Sequence, residues 1–253
     1  KIAVWMYTND NGHIPRKDIC HKLRETGCEV FADFDMRDCY VIDGKVFSRC
    51  GTNLSEFDLL FHMNADEQND YQLDILKAIE DSGVIVVNET ESFFRCRDKF
   101  RANMLLRQAG VRVPKAALLG VNTPREVIDG IFSDWGKVVY KCREGHGAKG
   151  VIQFSDAEQF WDFFLATKEY IQNFYLEQFI NFGHSDCRVE IFNREVLGGY
   201  SRHKSHSFKT NISSGGKMMP RDMGKEEHVA RQAADALGIN GTIVDMVESV
   251  DDG

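Results

Sequence analysis

The sequence has no uninterrupted apolar run long enough for a membrane-spanning helix, and its start does not follow the pattern of a secretory signal peptide. It also has no excess of positive charge, because 39 acidic residues outnumber 31 lysines and arginines and give a formal net charge of −8. That balance argues against a general nucleic-acid binder and against binding to an anionic membrane surface, while leaving room for a local basic site. We expect a cytoplasmic protein without nucleic-acid or membrane partners, and we expect both ends, Lys1 and Gly253, to be trimmed.

Paired cysteines are absent as well. The chain has seven cysteines, an odd number, and none belongs to a Cys-x-x-Cys pair. Scattered single cysteines favour reduced thiols over a disulfide framework or a zinc site. The chain also contains no internal repeat and no low-complexity segment.

The composition that remains fits an ordinary soluble globular protein, with 43% hydrophobic and 28% charged residues in a chain of 253. This length allows one large domain or two to three small lobes. Over roughly the first ninety residues, predicted strands alternate with helices, which indicates a small and mostly parallel α/β lobe. No Gly-x-Gly-x-x-Gly turn follows the first strand, which disfavours a dinucleotide-binding domain.

Beyond this lobe the hydrophobic pattern predicts further helices and strands. We predict helices over residues 98–109, 123–132, 156–167 and 225–237, a polar break over 88–92, a long polar loop over 201–216 and a strand over 242–247. In the first of these helices Asp98 is the expected N-cap, and Phe100, Met104 and Leu105 are expected to face inward. In the third, the expected buried face consists of Phe160, Phe163, Phe164 and Leu165.

A glycine-spaced loop between two β-rich runs is the most informative stretch. Its parts are the β-formers Val138, Val139 and Tyr140, then Lys141, and then Gly145, Gly147 and Gly150 before the second run. Such a loop lets backbone N–H groups approach an anion, and the lysine before it adds a charge for phosphate. A Gly-rich hairpin with a solvated lysine explains the stretch equally well when it is taken alone. A Walker loop is excluded, since no Gly-Lys-Ser/Thr follows and no helix is predicted at Gly150.

Several segments then follow one another in a family-like order. They are Asp98-Lys99 at the start of a helix, the strand–loop–strand stretch, Leu176-Glu-Gln-Phe-Ile180, Asp186-Cys-Arg188, Arg202, Lys209-Thr-Asn211 with Gly215-Gly216, and Val244-Asp245. Each is a weak signal by itself, but their joint order resembles the ATP-grasp superfamily of carboxylate–amine ligases. Within it, the chain looks most like RimK-type glutamate ligases. The resemblance extends from about Glu89 to the end.

The resemblance implies an α/β architecture with three parts. These are an N-terminal α/β pre-ATP-grasp domain over residues 1–92, a first ATP-grasp lobe with a Gly-rich flap over 93–180, and a second, C-terminally incomplete lobe over 181–253. It also implies a ligase that depends on ATP and Mg²⁺ (or Mn²⁺). Such an enzyme activates a carboxylate as an acyl phosphate, lets an amine attack it, and releases ADP and phosphate.

The resemblance assigns a nucleotide-binding role to one group of residues. They are Lys99, Lys141, Gly145, His146, Gly147, Gly150, Glu177, Gln178, Phe179, Ile180 and Asp186. Lys99 and Lys141 are expected to reach the phosphates, and the loop glycines with His146 are expected to cover them. The backbone of residues 178–180 is expected to read the adenine edge, and Asp186 to contact the nucleotide.

A second group is assigned to catalysis and metal binding. Arg188, Arg202, Lys209 and Asn211 are the implied catalytic residues, and Asp245 is the implied magnesium ligand. Arg202 is assigned to the reacting carboxyl group. RimK-type ligases have arginine where this chain has Lys209, and lysine lacks the planar fork for bidentate bonding. A single aspartate does not hold Mg²⁺ alone, and the family's further Glu-x-Asn ligands belong to a strand beyond Gly253.

Two functions remain open at this point. One is the ligase, with ATP and a small amino acid or peptide, or a protein tail, as its substrates. The other is a non-catalytic ATP-binding module on the same fold that acts as a sensor or interaction partner. The sequence does not identify the acid or the amine, and a homo-oligomer stays open.

Overall fold

The computed structural model of the chain describes residues 1–6, 13–63, 70–145, 150–204, 209–210 and 215–251. The chain divides into two compact units, Lys1–Phe94 and Arg95–Gly253. Three residues of the expected site, His146, Gly147 and Asn211, lie outside the described residues.

The first unit is built on a parallel sheet. Its elements are β1 (Ile2–Met6), α1 (His13–Glu25), β2 (Val30–Phe31), β3 (Tyr40–Ile42), β4 (Lys45–Phe47), β5 (Leu59–Met63), α2 (Asp70–Asp81), β6 (Ile85–Val87) and the first part of α3 (Thr90–Arg97). Four strands pair in parallel in the order β2-β1-β5-β6, which confirms the predicted parallel α/β lobe. β3 and β4 form a separate hairpin, whose turn holds Asp43 and Gly44 at φ of 48° and 75°.

The residues of β1 explain why helices cover both faces of this sheet. Ala3 and Trp5 lie in the core cluster that α2 supplies, whereas Val4 and Met6 pack in the cluster that contains Cys20 of α1. Successive side chains of a strand point to opposite faces, so a strand that is apolar at every position needs cover on both sides.

The second unit contains two antiparallel sheets. The first is formed by β7 (Ala116–Gly120), β8 (Val138–Lys141), β9 (Ile152–Phe154) and β10 (Asn173–Gln178), with α4 (Lys99–Gln108), α5 (Arg125–Trp135) and α6 (Ala157–Thr167). Its strand order is β7-β10-β8-β9. Phe160, Phe164 and Phe174 are almost fully buried and form the centre of its core. β8 and β9 pair antiparallel, so the predicted strand–loop–strand unit is present.

The other sheet of this unit is formed by β11 (Ser185–Phe192), β12 (Glu195–His203), β13 (Lys217–Pro220) and β14 (Gly241–Met246), with α7 (Lys225–Leu237). The strand order is β13-β12-β11-β14, and every pairing is antiparallel. Ala230 and Ala234 of α7 pack in one cluster with Val189 and Ile191 of β11, so α7 covers one face. The opposite face carries polar side chains.

Contacts between helices join the two parts of this second unit. α7 packs against α4, and the Arg95 guanidinium donates a hydrogen bond to the carbonyl oxygen of Leu237 at 3.2 Å. Within the described part of the chain, no helix combines the length and the apolar character needed to cross a membrane.

Some local predictions were wrong. Met104 and Leu165 are exposed by 38% and 43%, and buried Asn103 faces inward from α4 instead of Met104. α5 begins after Pro124 without a cap from Thr123. The expected break over residues 88–92 contains the start of α3, and the expected loop over 201–216 is shortened by β12, which extends to His203.

Candidate active site

Two lysines lie in the lobe of the second unit that contains the sheet β7-β10-β8-β9, and hydrogen bonds to neighbouring residues fix both of them. Lys99 is the first residue of α4, because the Asp98 carboxylate caps this helix by accepting hydrogen bonds from the Phe100 and Arg101 amides at 3.0 and 3.2 Å. The Lys99 ammonium donates to the carbonyl oxygen of Gly145 at 2.7 Å. Lys141 ends β8, and its ammonium forms an ion pair with Glu177 of β10.

The Lys99 ammonium contacts the carbonyl oxygens of Arg143 and Gly145, which follow Lys141 by two and four residues. Burial lowers the pKa of Lys99, and the positive charge of Lys141 lowers it further. The two residues are 42 positions apart in sequence, yet the fold brings both ammonium groups into one region. Such a pair of cations suits a ligand with several negative charges, such as a polyphosphate.

The segment after β8 is fastened to the start of α4. Arg143 forms an ion pair with Asp98, and Arg97 pairs with Glu144 at 2.7 Å. The backbone N–H of Lys99 donates to the carbonyl oxygen of Arg143 at 2.9 Å. Burial favours protonation of Asp98, but the hydrogen bond from Arg143 outweighs it together with the helix amides, so the pKa of this carboxyl is lowered.

The described glycines of the loop have backbone conformations that other residues rarely adopt. Gly145 and Gly150 have φ of 99° and 68°. A Cβ at Gly150 would also come within 2.5 Å of the Cys142 Sγ, so a side chain there would require the Cys142 side chain to move. Gly147 and His146 lie outside the described residues, so their expected contacts stay predictions.

The segment that is expected to contact the adenine begins at the end of β10. Glu177 and Gln178 end this strand, and Phe179 and Ile180 continue beyond it. The backbone amides of Gln178 and Phe179 donate to the carbonyl oxygens of Lys115 and Lys137 at 2.9 and 3.0 Å, so neighbouring chain already uses these two donors. All four residues are half-buried.

The polar face of the second sheet collects side chains from three strands. Asp186 and Arg188 alternate along β11, Tyr200 and Arg202 alternate along β12, and Asp245 lies on β14. The register pairs Asp186 with Arg202, and it pairs Arg188 with both Tyr200 and Asp245. These five side chains therefore share one face of the sheet, opposite α7.

Hydrogen bonds connect this group into a network. Arg202 binds the Asp186 carboxylate with both Nε and Nη2, and Nη2 also donates to Asp245 at 3.0 Å. Arg188 donates to the Asp245 carboxylate through Nε and to the Tyr200 hydroxyl at 3.2 Å. Asp245 is thus held between two guanidinium groups.

Burial differs strongly across this network. Asp186 and Arg202 are 6% and 5% exposed, whereas the Asp245 side chain is 48% exposed. Burial of Arg188 and Arg202 favours their neutral forms, but the hydrogen bonds that they donate to Asp245 and Asp186 respectively outweigh this, so the pKa of each guanidinium is raised. Both arginines therefore stay charged, and Asp245 is the most accessible carboxylate of the group.

The described residues of this polar face provide a single candidate ligand for Mg²⁺, the carboxylate of Asp245. Among the described residues, no cluster of three or more histidines, cysteines or carboxylates forms a metal cage. Mg²⁺ characteristically binds through one or two carboxylates together with substrate phosphates and water. Asp245 fits as one such ligand, and the arginines beside it provide charge for phosphate oxygens.

The sequence reasoning missed three residues of this arrangement. Thr210, which is 6% exposed, donates its hydroxyl proton to Asp186 at 2.6 Å. Tyr200 contacts Arg188, and Arg143 binds Asp98. The alternation Tyr200-Ser-Arg202 could have indicated Tyr200, but the contacts of Thr210 and Arg143 depend on the folded chain. Lys209 lies half-buried beside Thr210, and Asn211 is outside the described residues.

Comparison with known proteins places this geometry in a family. The model of the RimK-like ATP-grasp domain matches residues 96–252. A probable alpha-L-glutamate ligase of Legionella pneumophila (strain Corby) is 28% identical over 209 residues, which cover 81% of this chain and 68% of that relative. The chain therefore belongs to the RimK-like ATP-grasp family, a family of ATP-dependent carboxylate–amine ligases.

Solved structures support the fold along nearly the whole chain. The ATP-grasp ligase PsnB, complexed with a minimal precursor, matches with a TM-score of 0.71 at 15% identity, over 99% of this chain and 86% of PsnB. D-alanine–D-alanine ligase from Bacillus anthracis matches with a TM-score of 0.70 at 14% identity, over 99% of this chain and 83% of that ligase. At these identities the likeness concerns the fold, and it confirms the expected ATP-grasp architecture.

Proposed function

We propose that the protein joins the carboxylate of an amino acid or peptide to an amine through an acyl phosphate, and that it releases ADP and phosphate. The observation that carries this proposal is the contact of the Lys99 ammonium with the loop that follows Lys141, in which the described glycines, Gly145 and Gly150, have positive φ. This is the arrangement that a triphosphate requires, since several phosphate oxygens must be neutralised at once.

The reaction has two balanced steps. An oxygen of the carboxylate attacks the γ-phosphorus of ATP, the bond to the β–γ bridging oxygen breaks, and ADP leaves. The amine nitrogen then attacks the carbonyl carbon, the bond from this carbon to the phosphate-bearing oxygen breaks, and phosphate leaves while the nitrogen loses a proton. Both steps transfer groups between anions or through an oxyanion, so the protein's main task is to place cations and hydrogen-bond donors.

In this proposal the two lobes of the second unit have separate tasks. Lys99 and Lys141 bind the nucleotide phosphates, and the segment after β10 receives the base. Arg188 and Arg202 lie on the polar sheet face, where a guanidinium can bind a carboxylate or an acyl phosphate. Lys209 and Asn211 are assigned to the triphosphate end on the strength of the family motif.

The metal ion is assigned to Asp245. Mg²⁺ bound there with nucleotide phosphates would supply charge that offsets the negative charge of the transferring group. The half-exposed carboxylate is available for this, and ion pairs with Arg188 and Arg202 hold it in place.

Glutamate is the first acid to test. Curated relatives from Legionella and Pseudoalteromonas are described as probable alpha-L-glutamate ligases, and PsnB was solved with a precursor peptide. We therefore place glutamate or an acidic peptide ahead of a neutral amino acid.

A variant of Arg202 tests this assignment on whichever acid and amine give amide product with MgATP. Arg202→Lys keeps the charge but loses the planar fork, so we expect turnover to fall at least about tenfold, because an interaction with developing charge is worth about 1.5–3 kcal/mol. The affinity for MgATP, measured by calorimetry, should fall by less than turnover does, because lysine keeps a positive charge beside Asp245. Unchanged turnover in this variant would contradict the assignment.

Arg194→Lys is the matched control. Arg194 lies in the turn between β11 and β12 and pairs with Asp235, so it is also a carboxylate-bound arginine of the same sheet. Its side chain is 75% exposed, and its replacement should leave turnover unchanged.

A further inference from the structure

A hydroxyl group connects the short segment with Lys209 and Thr210 to the polar sheet face. Thr210 is 6% exposed, and its Oγ1 donates to Asp186 Oδ2 at 2.6 Å. Lys209 and Thr210 themselves belong to no helix or strand. The side-chain contact of Thr210 is therefore one constraint on where these two residues lie.

Asp186 is well suited to be the receiving group. Its Oδ1 accepts from Arg202 Nε at 3.0 Å, and its Oδ2 accepts from both Arg202 Nη2 and Thr210 Oγ1. A carboxylate that is 6% exposed needs such partners, since a buried charge without hydrogen bonds is costly. Within the described residues, Asp186 thus acts on the protein's own arginine and threonine.

We propose that Thr210 is a positioning residue, which holds the backbone of Lys209 at the sheet face through Asp186. This inference rests on the proposed function, in which Lys209 serves the triphosphate end. It extends that function by giving a role to the residue between Lys209 and Asn211. It also connects the Lys209 segment to Asp245, because Arg202 binds both aspartates.

Two replacements separate the hydroxyl group from the bulk of the side chain. Thr210→Val keeps the shape and removes the hydrogen bond, whereas Thr210→Ser keeps the hydroxyl group. Arg202 continues to bind Asp186 with two nitrogens in both variants, so the sheet should remain folded. Thr210→Ala serves as a second variant without the hydroxyl group if the valine side chain does not fit.

The first measurement is the affinity for the ATP analogue AMPPNP with Mg²⁺, determined by calorimetry on the full chain, so that no acid substrate is required. We expect Thr210→Val to weaken binding about tenfold, the factor that corresponds to losing one hydrogen bond to a charged group. Thr210→Ser should restore binding to within about twofold. Equal weakening by serine and valine would overturn the proposal, since the methyl group and not the hydroxyl group would then matter.

A double-mutant cycle with Lys209→Ala tests whether Thr210 acts through Lys209. We expect Lys209→Ala alone to weaken AMPPNP binding, and we expect Thr210→Val to have almost no additional effect in that background. Fully additive effects would overturn the positioning role. If Lys209→Ala had no effect by itself, the assignment of Lys209 in the proposed function would fail first, so the two failures are distinguishable.

Thr167→Val provides the matched control. The Thr167 hydroxyl donates to the carbonyl oxygen of Phe163 at 2.6 Å at the end of α6, remote in sequence from the nucleotide residues. Its removal should leave AMPPNP affinity unchanged. A loss equal to that of Thr210→Val would indicate a general effect of lost hydroxyl groups and would contradict the proposal.

Discussion

Lys141 is the residue whose replacement tests the nucleotide site most simply. It forms an ion pair with Glu177, and its side chain is 29% exposed. Lys141→Ala removes a charge-assisted phosphate contact of about 1.5–3 kcal/mol, so the affinity for MgATP should fall roughly 10- to 100-fold. Calorimetric titration measures this directly.

Lys115→Ala is the control for this change. Lys115 also pairs with a carboxylate of the same lobe, Asp134, at 2.8 Å, but it lies before β7 and has no assigned ligand. Its replacement should leave the affinity unchanged. Equal affinity of the Lys141 variant and the wild type would remove Lys141 from the site.

His62 gives a second prediction at the scale of single residues. It is 2% exposed in β5, and its Nε2–H donates to the carbonyl oxygen of Asn88 at 2.8 Å. Burial lowers the pKa of His62 from its ordinary 6.5 to about 4, although the bond to Asn88 opposes this. Between these values the unfolded chain binds more protons than the folded chain. The free energy of unfolding should therefore fall by up to roughly 3 kcal/mol as the pH falls from 6.5 to 4.

Urea unfolding of the full chain at several pH values checks this expectation. His62→Gln should flatten the pH dependence in that window, and His21→Gln, at an exposed position of α1, should preserve it. An identical pH dependence in the wild type and the His62 variant would show that other groups cause it.

At the scale of elements, the N-cap residue of α4 has two roles, because it caps the helix and also binds the segment after β8. Asp98 accepts from the Phe100 and Arg101 amides and also binds Arg143, whereas Asp156 caps α6 only through the Gln159 amide. Asp156→Ala should cost about 1 kcal/mol of stability, the usual value for a lost cap. Asp98→Ala should cost clearly more and should also weaken nucleotide binding, because Lys99 follows it directly.

Urea unfolding measures the stability of the two variants, and calorimetry measures their affinity for nucleotide. Equal losses of stability, with unchanged nucleotide affinity in both, would contradict the idea that the start of α4 and the segment after β8 act together.

Elements with a strong local signal were predictable from the sequence. The Asp98 cap and the helix over residues 225–237, which Gly238 ends in a left-handed conformation, depend on chemistry within a few residues, and the structure confirms them. β13 was missed because Lys217-Met-Met-Pro220 lacks polar–apolar alternation, and its strand conformation comes from pairing with β12.

The contacts within the site were also not predictable from local sequence. The family motif selected Arg188, Arg202 and Asp245 individually, but it gave no indication that the two arginines bind the aspartate. That contact depends on the register of three strands, which one sequence does not encode locally. The link from Thr210 to Asp186 spans 24 positions and was equally hidden.

At the scale of the whole molecule, the central claim is that a carboxylate is activated by phosphoryl transfer before the amide forms. The most direct measurement uses L-glutamate labelled with oxygen-18 in its carboxylates, together with MgATP and the amine that gives product. The account predicts that one labelled oxygen appears in the released phosphate, because the phosphate leaves with the carboxylate oxygen that attacked ATP. Amide formation with unlabelled phosphate, or with the label in AMP, would contradict it.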